Sequence, residues 1–301
     1  MEFFEGLFRR FKKQERVQPK PEQRQVAAKD AVSLWSYSYF REYLRSLASH
    51  AFAEEGREKF LLPINQYPEQ IELSRDWHTL FNHMRRETAL DQKEKWAMIG
   101  LKIDDPAIYL QKTAITGLSD AVPFHIIEKT MMHALKTSDI AERLGSIHTH
   151  PRDKTDKSWI MPPTPTNIGC GHFSLTDMFN HLASNNSKMY VFFRPVYAVV
   201  EGNENLVILI SQTTDYKAQS YLPRTRDQFV EEWYTKNGWK YDREKTDEGN
   251  GEYATPMTQR KETPIKDINI QIARLYDLAI YRGHTNGPLI RVFPPSISTL
   301  P

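Results

Sequence analysis

The chain has 301 residues, 40 Lys and Arg against 38 Asp and Glu for a formal charge of +2, and 40% apolar and 12% aromatic residues. These values fit one domain with extensions or two domains around a real core, and they exclude a stapled mini-protein, a disordered acidic chain and a strongly basic nucleic-acid binder. The one cysteine, Cys170, can form neither an internal disulfide nor a cysteine-rich zinc site. Any metal must therefore be held by His, Asp or Glu, and a reducing cytoplasm suits such a chain.

No segment reaches the roughly 18 uninterrupted apolar residues of a bilayer-spanning helix; even Met189–Val200 is broken by Arg194 and Pro195. The first residues, MEFFEGLFRRFKK, reverse the order of a secretory signal. Phe3, Phe4, Leu7, Phe8 and Phe11 share one helical face and are followed by basic residues, a pattern suited to a membrane interface, a protein partner or simple packing on the chain itself. Gln14–Asp30 is polar and reads as a solvated linker. Ala31–Phe52 reads as a helix, Gln70–Leu73 as a short strand, and a helix is expected from about Ser74 as its cap, with Trp77, Leu80, Phe81 and Met84 on one face.

Lys95–Lys102 and Ala107–Ile115 read as a β-hairpin around the turn Ile103–Pro106. A helix over about Pro123–Lys136 follows, then a strand ending in GSIHTHP, a long loop, and a helix beginning near Ser174. Met189–Val200 and Leu206–Ser211 are the next strands, with Gly202-Asn203 between them. Helices over Arg226–Lys236 and Pro264–Arg282 close the chain, separated by the polar segment Lys240–Glu262.

Chemistry concentrates between Gly145 and His181. Alternate residues of a strand point the same way, so His148 and His150 of the H-T-H sequence present two imidazoles to one space. A later Asp would complete three protein ligands and leave a fourth tetrahedral position open, as in catalytic zinc sites, and Asp177 is the best candidate. The ligand types admit other divalent metals as well. Ser174-Leu175-Thr176-Asp177 also has a plain structural role, since S-x-x-D can cap a helix. Most of the other eight histidines read as ordinary packed or exposed residues.

The order strand-end H-x-H-P followed by S-x-x-D at a helix start resembles the JAMM signature of the JAB/MPN metalloprotease family. That family also has a Glu opening an upstream apolar strand, and Glu94 in EKWAMIGLK aligns with it, although Ala97 and Leu101 stand where the family has glycines. Glu87 and Glu128 are alternatives, but they fall at the end and in the middle of helical patterns. The resemblance covers about Pro68–Gln212. It implies that His148, His150 and Asp177 hold one Zn²⁺, that Glu94 is the general base and acid for water, and that Ser174 steadies the carbonyl oxygen. The implied substrate is an amide or isopeptide bond at the C-terminus of ubiquitin or a ubiquitin-like protein.

The implied fold is an α/β (α+β) MPN core, a central mixed β-sheet flanked by helices. The expected division is an N-terminal segment and linker over 1–30, a helical arm over 31–66, the metalloprotease domain over 67–215 and a helical extension over 216–301. Pro151–Phe173 is longer than the family's spacer between His and Ser. Ser158 stands at the usual distance, but Met161 then replaces the Asp, which rejects that register. The long loop, with Trp159, Ile160, Met161 and Gly169-Cys170-Gly171, reads either as a packed lid or as a substrate-clamping flap. Cys170 or His172 could also reach the metal. Two other functions fit the chain: a catalytically silent MPN scaffold, and a metal-dependent hydrolase of small molecules.

Overall fold

The computed structural model describes residues 34–50, 66–101, 108–110, 115–117, 126–127, 129, 142–150, 173–186, 196–201, 206–212, 222–223, 225–244, 254–258 and 261–294. The chain begins its described part with strand β1 (Leu34–Trp35), helix α1 (Tyr37–His50), strand β2 (Gln70–Ile71) and helix α2 (Arg75–Asp91). Strands β3 (Lys95–Leu101), β4 (Ile108–Leu110), β5 (Ile115–Thr116) and β6 (Glu142–His150) follow, then helix α3 (Leu175–Asn186). Strands β7 (Val196–Glu201) and β8 (Leu206–Gln212) come next, and helix α4 (Arg226–Lys236) leads to β9 (Trp239–Tyr241) and β10 (Ala254–Pro256). Helix α5 (Ile265–Tyr276) and strands β11 (Leu278–His284) and β12 (Leu289–Phe293) complete the series.

Ten strands form one mixed sheet in the order β1-β2-β12-β11-β8-β7-β6-β3-β4, with β5 also paired to β3, while β9 and β10 form a separate antiparallel pair. The neighbours β6 and β7 run parallel, which requires a crossover, and α3 lies in that connection. Described Gly145–Thr149 of β6 are all buried, as suits a central strand covered on both faces.

Each face has its own core. Alternate residues of β11 divide between them: Ala279 and Tyr281 join α1 and α2 with Phe40, Leu44, Phe81 and Met84, whereas Leu278 and Ile280 join α3, α4 and α5. The expected stripe of α2 is the one that is buried, since Trp77, Leu80, Phe81 and Met84 all lie inside. Phe81 is fully buried and meets Trp77 edge-on at 5.9 Å between ring centroids. Phe81→Ala should cost about 3–5 kcal/mol through lost contacts and the cavity left behind. Chemical denaturation measures this, and a loss under about 1 kcal/mol would show that the site collapses or is not core.

Several sequence expectations change. The N-terminal helix does not start at Ala31: Leu34 and Trp35 pair with Gln70 and Ile71, and Ser36 separates strand from helix, its carbonyl accepting the Phe40 N–H at 2.9 Å. Ser74 occupies the cap position of α2 without a side-chain capping bond. The described parts of the second hairpin arm, β4 and β5, both pair antiparallel with β3. The expected helix over Pro264–Arg282 is α5 followed by β11, and the break falls at Asp277, in the left-handed region at φ 52°. Residues after 215 are therefore not a purely helical extension, because β11 and β12 lie inside the main sheet between β8 and β2. Of the helix expected over Pro123–Lys136, only 126, 127 and 129 are described, and they are helical. The N-terminal aromatic face, the linker, Met189–Pro195 and the loop Pro151–His172 lie outside the described residues.

Candidate metal centre

Strand β6 carries the two histidines at its C-terminal end, between antiparallel β3 and parallel β7, with Trp96 and Val199 opposite His148. Strand parity sends Ser146, His148 and His150 to one face, and Ile147 and Thr149 to the other. Ile147 accordingly enters the core with α1 and α2. Thr149 lies 2.6 Å from the Thr88 hydroxyl of α2, Oγ1 to Oγ1, and accepts the Lys95 N–H at 2.9 Å. The residue between the histidines thus ties their strand to both a helix and the start of β3. Lys95 is itself buried and ion-paired through Nζ with Asp91.

The start of α3 supplies the third group. Ser174 stands just before the helix and forms a reciprocal cap with Asp177: its Oγ accepts the Asp177 N–H at 3.0 Å, while Asp177 Oδ2 accepts from Ser174 Oγ–H at 2.8 Å and Ser174 N–H at 3.2 Å. This is the capping-box pattern with Asp in place of the usual Glu. It aims the carboxylate at the histidines and places it in the positive first turn of the helix. The structural reading of S-x-x-D and a ligand role therefore coexist.

Asp177 Oδ1 lies 3.2 Å from His148 Nε2, Asp177 Oδ2 lies 3.0 Å from His150 Nε2, and the two Nε2 atoms are 3.0 Å apart. A network of protons alone serves this triangle poorly. If each imidazole gives its Nε2 proton to the carboxylate, two N–H groups face each other at close range. A shared cation satisfies all three groups together, and tetrahedral zinc with bonds of about 2.0–2.1 Å spaces its ligand atoms by about 3.3 Å. His148, His150 and Asp177 can bind a metal ion. Their side chains are 6%, 17% and 12% exposed, so the group is buried with its most open side at His150. Burial by itself raises the Asp177 pKa, but the charge of His148 and hydrogen bonds from both histidines outweigh it and hold the carboxyl well below its ordinary value. An ionised carboxylate is the form that a metal requires.

Glu94 immediately precedes β3. The register pairs Trp96 with His148, and alternation along the chain places Glu94, two residues before Trp96, on the histidine face. Glu94 is buried, and its carbonyl accepts the Gly117 N–H at 2.8 Å. The alternative Glu87 belongs to α2, whose buried residues cover the opposite face of the sheet. Glu128, Cys170 and His172 lie outside the described residues. Ser174 is beside the group, with its hydroxyl proton directed to Asp177.

The bridge from Thr88 through Thr149 to the Lys95 N–H was not legible in the sequence. A threonine between two strand histidines faces away from them and carries no local sign of a partner 61 residues earlier. Its backbone partner is adjacent to Glu94, so this buried contact helps to fix the histidine strand against the strand of the carboxylate. No family model matches the chain, and no curated protein or solved structure matches it either.

Proposed function

We propose that the chain is a zinc-dependent peptidase of the JAMM type, built on an MPN-like core, which hydrolyses an amide or isopeptide bond at the C-terminus of ubiquitin or a ubiquitin-like protein. The observation that carries this reading is the convergence of His148, His150 and Asp177 from a strand end and a helix start, with Glu94 brought to the same face by strand register. The donor set suits zinc, since two imidazoles and one carboxylate leave one tetrahedral position for a fourth group. Bound zinc supplies Lewis acidity toward a carbonyl and makes water more acidic.

The roles of the chain's own residues follow. His148 and His150 hold the metal from the C-terminal end of β6, and Asp177 supplies the negative charge. Glu94 takes a proton from water and returns it to the departing amine, which balances the proton through the reaction without a covalent acyl intermediate. Ser174 can reach the carbonyl oxygen only by giving up its present bond to Asp177, so its hydroxyl has two uses at one site. The preference for a ubiquitin-like tail rests on the sequence resemblance.

The purified protein is expected to carry close to one zinc per chain and to cleave a C-terminal fusion of a ubiquitin-like protein. A chelator should remove both metal and cleavage, and zinc should restore both. Elemental analysis beside a gel-based cleavage assay tests this. Metal without cleavage of any such fusion would favour a scaffold or another hydrolase, and the absence of retained metal would sink the zinc reading.

A further inference from the structure

Helix α5 contains one residue that its pattern does not explain. Its buried side is Ile265, Ile268, Asn269, Ile272, Ala273 and Tyr276, an apolar stripe interrupted by an amide that is only 4% exposed. Such a group is tolerated inside a core only when its hydrogen-bonding capacity is used. Asn269 uses both ends on a single distant residue: Oδ1 accepts the Phe173 N–H at 2.9 Å, and Nδ2 donates to the Phe173 carbonyl at 3.1 Å. The side-chain amide thus pairs with Phe173 much as a neighbouring strand would. The Phe173 ring is meanwhile fully buried in the core shared by α3, α4 and α5.

Phe173 is the residue before Ser174, and the backbone N–H and hydroxyl of Ser174 hold Asp177 Oδ2. We propose that Asn269 is a positioning residue of the metal centre, clamping the Phe173 backbone so that the Ser174 cap presents Asp177 to His148 and His150. The inference rests on the reading of those three residues as metal ligands. It gives the C-terminal segment a part in the site, because a helix almost one hundred residues later fixes where the third ligand stands. Outer partners that orient a ligand commonly change metal affinity by about 10- to 100-fold when removed.

Asn269→Leu tests the clamp, because leucine has a similar volume and suits the apolar stripe but can form neither bond; Asn269→Ala replaces it if the leucine variant does not fold. Ile272→Ala serves as the control, since it removes packing from the same helix without removing a hydrogen bond. Zinc affinity is measured by competition with a chromophoric chelator, and hydrogen exchange follows the Phe173 amide. In the unaltered protein that amide should exchange slowly. The Asn269 variant should lose about 10- to 100-fold in zinc affinity, with Ile272→Ala staying within about twofold of the parent. Rapid exchange at Phe173 in the parent overturns the clamp, even if no Asn269 variant folds. Parental zinc affinity in Asn269→Leu, or an equal loss in Ile272→Ala, overturns the positioning role. If the parent itself shows no zinc affinity, the metal reading fails and this inference falls with it, whereas a tight parent with an unaffected variant removes the inference alone.

Discussion

Replacing His148 and His150 together by alanine is expected to abolish zinc retention. In the proposed site the two Nε2 atoms, 3.0 Å apart, would provide two of the three donors, and the remaining Asp177 would be a lone carboxylate held by its own helix cap. One carboxylate cannot hold a transition metal against water and buffer, because affinity here comes from several ligands fixed together. A metal that binds only the folded state stabilises it by mass action, by about 2.7 kcal/mol when its concentration is 100 times the dissociation constant. Added zinc should therefore raise the denaturation midpoint of the parent and leave that of the double variant unchanged. The variant should still fold, since both cores lie on residues other than the two histidines. Circular dichroism checks the fold, and elemental analysis after gel filtration reads the metal. Stoichiometric zinc in the double variant would refute the assignment of these ligands.

The local geometry of the site was easier to read in the sequence than its support. Alternation along a strand is enough to place His148 and His150 on one face, and S-x-x-D at a helix start is enough to bring Ser174 and Asp177 together; both relations join residues no more than three positions apart. Glu94 needed more, because its place on the histidine face depends on the pairing of two strands, with Trp96 opposite His148. The clamp by Asn269 was less accessible still. An Asn in an amphipathic helix can face solvent, cap a turn or enter a core, and only the three-dimensional packing joins it to Phe173.

The fold shows the same division between short-range and long-range information. The faces of α2 and the limits of α4 follow from local periodicity, and the structure has them where the pattern places them. Leu278–His284 reads equally well as the last turns of a helix, since Leu, Ala and Arg favour helices while Ile and Tyr suit strands. Asp277 in the left-handed region ends the helix, and antiparallel pairing with β8 on one side and β12 on the other fixes the strand. The pairing with β8 joins segments separated by the whole of α4 and α5. A boundary drawn after residue 215 therefore missed it.

On the proposed peptidase reading, Glu94→Gln is expected to leave the metal in place and to lower turnover by about 100- to 10,000-fold, the range associated with removing a general acid–base group. The substitution keeps side-chain length and its capacity to hydrogen-bond, but an amide cannot accept the proton that hydrolysis takes from water. Glu94 does not belong to the three-residue group that can hold the ion, so zinc content and the midpoint gain on adding zinc should both match the parent. A change in turnover alone separates this variant from the histidine variants, which lose metal and activity together. Glu87→Gln supplies the comparison, because Glu87 belongs to the helix on the opposite face and should retain near-parental rates. Zinc loss in Glu94→Gln would make Glu94 a support of the ligand shell rather than the base. Undiminished cleavage by the zinc-loaded variant would assign the proton transfer to a different group, and a matching loss in Glu87→Gln would point to α2 as its source.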